Sequence, residues 1–129
     1  MGVAQINRFG YEYAKVLKEY VSSQPFYLKK NMLYDVESIG ENAFLSNTYL
    51  TSAIIPDNIT NIGNSAFSGC SSLESVTVLS TAPPTLGTSV FNSTSSNLVI
   101  YVPAESVDTY KAATNWSSYA SKIQAIPNN

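Results

Sequence analysis

One phrase recurs three times in register: Ile39-Gly40-Glu41-Asn42-Ala43-Phe44, Ile62-Gly63-Asn64-Ser65-Ala66-Phe67 and Leu86-Gly87-Thr88-Ser89-Val90-Phe91. The glycines at 40, 63 and 87 stand 23 and then 24 residues apart. A period in the twenties specifies a stack of like coils, because one such unit cannot bury its apolar side until a neighbour covers it. The repeat therefore predicts architecture before any residue predicts chemistry. It also favours a binding surface over a catalytic pocket, since stacked coils present an extended face.

Carrying the offset along the chain aligns the remaining positions. Val36-Glu37-Ser38-Ile39 and Ile59-Thr60-Asn61-Ile62 share an apolar, polar, polar, apolar rhythm ahead of the glycine. A glycine there suits a turn of positive φ or a close backbone approach. Phenylalanine four residues later fills the space between coils. Three residues on stand Asn47, Cys70 and Thr94, small groups for a tight turn, and then Leu50, Leu73 and Leu98. Phe44, Phe67 and Phe91 occur once per coil and are read as core, with no functional role.

Each repeat next holds a short extended stretch: Ala53-Ile54-Ile55-Pro56, Val76-Thr77-Val78-Leu79 and Ile100-Tyr101-Val102-Pro103. Strand alternation puts Ala53, Ile55, Val76, Val78, Ile100 and Val102 inward. Ile54, Thr77 and Tyr101 then face outward on neighbouring strands, flanked by Ser52, Ser75 and Val99. These six are the candidate ligand-binding residues.

The pattern Ile-Gly-x-x-Ala-Phe, the turn with Cys70, and Ser71-Ser72-Leu73-x-x-Val76-x-Val78 resemble the BspA-like leucine-rich repeats of bacterial surface proteins. Tyr101-Val102-Pro103-Ala104-Glu105-Ser106-Val107, with Tyr110-Lys111, Trp116 and Ile123, resembles the segment that closes many such arrays. The resemblance spans about residues 33 to 126. It implies a right-handed solenoid with a strand in each coil, and adhesion or protein recognition.

Composition narrows the partners. With 129 residues the chain suits one core rather than two. Charged residues make up 12% and the net charge is -2, whereas nucleic-acid binding calls for a clustered basic face, so no nucleic-acid partner is expected. Lys29-Lys30 is the one basic pair and reads as a solvated loop. No apolar run reaches the 18 or so residues of a membrane helix. The first eight residues lack the apolar core of a signal peptide, and Ile6 stands where a myristoylation motif has Ser or Thr. The single cysteine, Cys70, excludes an intrachain disulfide, and it lacks an activating base or nearby cation. Asn58, Asn92 and Asn115 head Asn-x-Ser/Thr triplets and are read as turn and cap residues, with Asn115 expected to cap a final short helix.

The two ends depart from the repeat, as caps must. Ala104 to Ala113 reads as a helix with Glu105 and Asp108 in its first turns. Trp116, Tyr119, Ala120 and Ile123 recur at i, i+3, i+4 and i+7, an apolar stripe able to cover the last coil. At the other end Ile6, Phe9, Tyr13, Val16 and Tyr20 alternate by three and four, predicting a helix over 4–22. That helix either folds back on the first coil or docks on a partner or a second copy. Pro25 ends it, and an irregular first strand follows, Met32 taking the place of Ile55 if the period is carried back by 23.

Catalysis finds no foothold. There is no histidine, no phosphate loop, no nucleophile elbow and no metal-ligand spacing, so no cofactor or metal is expected. Asp35 and Glu37 would share a strand face without a second element of a carboxylate mechanism. The sequence thus reads as an α+β repeat protein: a short right-handed leucine-rich-repeat solenoid with one short strand per coil, an N-terminal helix and a C-terminal helical cap. Its parts are an arm over 1–24, the solenoid over 25–103 and the cap over 104–129. The expected function is a non-catalytic adhesion module that presents its surface to a protein or glycan on a cell surface, working outside the cell. The alternative is a structural or receptor-binding component of a phage tail or virion, assembled through residues 4–22.

Overall fold

The computed structural model describes residues 4–6, 26–27 and 36–127. Their strands form two parallel sheets that the chain visits in turn. The first sheet takes β1 (Ala4–Ile6), β3 (Val36–Ile39), β5 (Asn61–Ile62) and β7 (Thr85–Leu86), in that order. The second takes β2 (Phe26–Tyr27), β4 (Ser52–Ile55), β6 (Ser75–Val78), β8 (Val99–Val102) and β9 (Ile123–Ala125). Pairing is in register with the repeat: Ile39 lies beside Ile62 and Ile62 beside Leu86, while Ile54 lies beside Thr77 and Thr77 beside Tyr101.

Each period therefore contributes two strands, which corrects the expectation of one. The extra strands β5 and β7 are two residues long, too short for alternation to reveal. Their extended shape comes from pairing with the neighbouring coil rather than from local propensity. A second correction concerns the N-terminus. Ala4–Ile6 is a strand paired with β3, so Ile6 stands beside Ile39 and belongs to no helix. Pairing here satisfies backbone groups along the edge of β3 that a helix would leave open. Phe9, Tyr13, Val16 and Tyr20 lie outside the described residues. Finally, β2 pairs Phe26 with Ala53 and Tyr27 with Ile54, an offset of 27 rather than 23, while Met32 lies outside the described residues.

A third layer of hydrogen bonds joins the coils between the sheets. Just after the glycine the N–H groups of Ala43, Leu45 and Asn47 donate within the coil to Gly40, Asn42 and Phe44. Those of Asn42, Phe44 and Ser46 donate to the next coil, to the carbonyls of Asn64, Ala66 and Ser68 at 3.0, 2.7 and 2.7 Å. Ser65, Phe67 and Gly69 repeat the arrangement onto Thr88, Val90 and Asn92. Alternate amides thus close the turn and bind the stack. The geometry needs two left-handed residues per coil, and they too are periodic: Asn42, Ser65 and Ser89, then Ser46, Gly69 and Ser93, all with φ between 57° and 76°.

The repeated glycine has a different cause. A Cβ at Gly63 would lie 2.6 Å from the backbone nitrogen of Glu41, and one at Gly87 would lie 2.6 Å from that of Asn64. Of the two reasons the sequence leaves open, close approach of adjacent coils is the operative one, with the positive φ falling two residues later.

Inside lies one continuous core. Ile39, Ile62 and Leu86, the three phenylalanines, Leu50, Leu73 and Leu98, and the six inward strand residues are all buried. Phe44 and Phe67 stack with ring centroids 5.2 Å apart and planes within 8°, and Phe67 and Phe91 with 5.8 Å and 12°. At about 25 cal/mol per Å² this burial is the main force holding coil to coil.

Candidate functional site

The strands β4, β6 and β8 each alternate between half-buried and fully buried residues. Because neighbours are in register, the outward positions fall into two rows. Ser52, Ser75 and Val99 form one, and Ile54, Thr77 and Tyr101 the other. All six expected ligand-binding positions are thereby gathered on a single face and are partly open to solvent. With strands about 4.8 Å apart and alternate residues about 6.7 Å apart, the patch measures roughly 10 by 7 Å.

The second row continues beyond the expected residues. β9 pairs Gln124 with Tyr101, and Gln124 is exposed while Ile123 beside it is buried. Gln124 therefore extends the row as Ile54, Thr77, Tyr101, Gln124. Treating 116 to 123 as one helical stripe hid this member. The signal that would have found it is the same period, since Ile123 and Ile100 are again 23 residues apart.

Chemically the face is neutral. Neither row contains a carboxylate or an ammonium group; Glu74 and Lys122 stand just ahead of β6 and β9. The hydroxyls of Ser52, Ser75, Thr77 and Tyr101 and the carboxamide of Gln124 have no hydrogen-bond partner among the described residues. Such groups at half-buried or exposed positions are available to water or ligand.

The closing segment is built to end the stack. After the turn Ala104–Ser106 comes α1 (Val107–Ala112), followed by the 3-10 segment Trp116–Lys122 and then β9. The helix expected over 104 to 113 is present in this form. Through β9 the cap adds a strand to the second sheet, but the first sheet ends at β7, whose backbone is met by side chains instead. Thr60 O accepts the Thr85 N–H at 2.9 Å; one coil on, Pro84 O accepts the Trp116 indole N–H at 2.8 Å. Ile39 O and Ile62 O accept from the glycine amides of Gly63 and Gly87; Leu86 O accepts from Asn115 Nδ2 at 2.7 Å. The amides of Phe44 and Phe67 donate to the next coil's carbonyls, and that of Phe91 donates to the Tyr119 hydroxyl at 3.2 Å, which itself donates to Asn92 Oδ1. Asn115 precedes the 3-10 segment but makes no capping bond there; at φ 67° its side chain turns to Leu86. Tyr110 donates to Ser80 O at 2.6 Å, and burial pushes its phenol above the usual range.

Trp116 is buried against Phe91 and Tyr110, their centroids 6.2 and 5.0 Å away, so its place is in the cap. Cys70 is buried too, with its thiol donating to Phe44 O at 3.1 Å. Burial pushes that thiol up to about 12, the reverse of an activated nucleophile. Among the described residues no group of three His, Cys, Asp or Glu is placed to hold a metal ion, and no helix is long and apolar enough to cross a membrane.

Residues 21–126 match the family described as "BspA type Leucine rich repeat region (6 copies)". The chain belongs to this family. Among curated proteins nothing matches it.

Proposed function

We propose that this BspA-type leucine-rich repeat domain is a non-catalytic adhesion module that works at a cell surface, a right-handed solenoid whose outer second-sheet face meets a host or cell-surface protein or glycan. What supports the reading most is the pairing of two in-register rows of half-open, uncharged side chains with a core that absorbs the repeated apolar columns. A face whose register is set by the stack is pre-organised, so binding forgoes little conformational entropy. Family membership supports a binding role in the same direction.

Binding of the fluorescently labelled chain to epithelial cells and to matrix-coated surfaces tests this. The double variant Ile54→Ala/Tyr101→Ala is expected to lose at least tenfold in affinity while unfolding at nearly the same temperature. Unchanged binding by a folded variant would remove the assignment of this face. The assembly role expected of residues 4–22 gains no support from the strand at Ala4–Ile6.

A further inference from the structure

We infer that Thr77, Tyr101 and Gln124 form a subsite for a neutral glycan, with the Tyr101 ring as the stacking platform and the hydroxyl and carboxamide on either side as hydrogen-bonding flanks. The inference rests on the reading of this sheet face as the binding face and names the ligand class it takes.

Register carries the argument. Tyr101 lies directly beside Thr77 on β6 and Gln124 on β9, so an aromatic ring is bracketed by two polar groups on one flat row. The row from Thr77 to Gln124 spans about 10 Å, comparable with a disaccharide. Gln124 offers both donors and an acceptor, and Thr77 and Tyr101 each offer a hydroxyl that donates or accepts. None of the three is engaged elsewhere among the described residues. The cap's tyrosines differ in this respect: Tyr110 is bonded to Ser80 O, and the Tyr119 hydroxyl bridges Phe91 N–H and Asn92.

Charge decides against other occupants. A sulfated or sialylated sugar, or a phosphate backbone, requires arginine or lysine at the contact, and neither row has one. A protein partner at a small site is anchored by large apolar groups or arginine, whereas the cross-strand neighbours of Tyr101 here are a hydroxyl and an amide. An apolar platform with a few orienting polar groups is the general form of a small-ligand site. A neutral sugar supplies the matching chemistry, with C–H faces for the ring and hydroxyls for Thr77 and Gln124.

The test is a titration of the full chain, uniformly ¹⁵N-labelled, with neutral β-linked hexose and N-acetylhexosamine oligosaccharides at millimolar concentration. The expected result is saturable shifts of the amides in β6, β8 and β9 for at least one of these sugars. Tyr101→Thr, which copies the residue already present on β6, should weaken binding about tenfold, and Tyr101→Phe should keep it within about threefold. Gln124→Ala, at an exposed position, should also weaken it. No shift in these strands with any neutral sugar, or shifts undiminished in both Tyr101→Thr and Gln124→Ala, would overturn the glycan assignment. If cell binding still depends on Ile54 and Tyr101 in that case, the face is a binding face for protein. If cell binding is also unaffected by those changes, the face itself is wrongly assigned.

Discussion

Gly63→Ala puts the stacking geometry to a test of sign. At an unstrained site the exchange of glycine for alanine stabilises by about 0.4–1 kcal/mol, because the unfolded chain loses freedom. Here the added methyl carbon would sit 2.6 Å from the Glu41 nitrogen, 2.9 Å from the Gly40 carbonyl carbon and 3.0 Å from the Glu41 Cα. All three are backbone atoms, so no side chain can swing away. To reach ordinary contact at 3.4 Å the coils must part by about 0.8 Å. Two inter-coil bonds cross the same gap, Gly63 N–H to Ile39 O at 2.7 Å and Asn42 N–H to Asn64 O at 3.0 Å. Overpacking costs about 1–3 kcal/mol and each weakened bond about 1 kcal/mol, giving a loss of about 3–5 kcal/mol. Thermal unfolding followed by far-UV circular dichroism should show a midpoint lower by about 10–20 °C. Urea unfolding read through Trp116 fluorescence should agree. The companion change Ser65→Gly, at φ 57°, relieves left-handed strain and should be neutral or stabilising by up to about 1 kcal/mol. A Gly63→Ala protein as stable as the parent, or more so, would refute the close-approach account.

Other expectations follow from the cap and the buried ionisable groups. Asn115→Ala leaves Leu86 O without its donor and should cost about 1–3 kcal/mol in urea unfolding, and Trp116→Phe should cost at least as much by orphaning Pro84 O. Tyr119→Phe removes both the acceptor for the Phe91 amide and the donor to Asn92, and should cost about 1–2 kcal/mol. Stability should fall at alkaline pH, because the Cys70 thiol ionises from 9.0 upward in the unfolded chain but only near 12 when folded. Its contribution is complete below 9.0 and is lost on the way to 12, and Tyr110, raised by burial from 10.0, acts in the same sense. Cys70→Ala should flatten the decline between those limits in pH-dependent urea unfolding, and a disulfide reagent at pH 8 should leave the folded thiol unmodified while reacting in urea.

The parts legible in the sequence are those with a period. Ile39, Ile62 and Leu86, the phenylalanine column, and the inward and outward members of β4, β6 and β8 follow from the repeat and strand alternation alone, and so does the gathering of the six face residues. What escaped is what local pattern does not encode. The strands β5 and β7 are extended because a neighbouring coil pairs with them, and two residues carry no alternation. The role of the glycine depends on the distance to the preceding coil, which no single repeat reveals. In the cap, Trp116, Asn115 and Tyr119 stand in for backbone groups of an absent coil, so they bear no resemblance to the repeat they replace. Gln124 was lost because a helical spacing through Ile123 competed with a 23-residue period, and strand pairing prevailed.

Hydrogen–deuterium exchange of the chain bound to its target cell surface or isolated ligand tests the central claim, that recognition uses the outer face of the second sheet. The account predicts added protection confined to β4, β6, β8 and β9, strongest around Ile54, Thr77 and Tyr101. Protection centred instead on the turn layer of residues 41–46, 64–69 and 88–93 would contradict it.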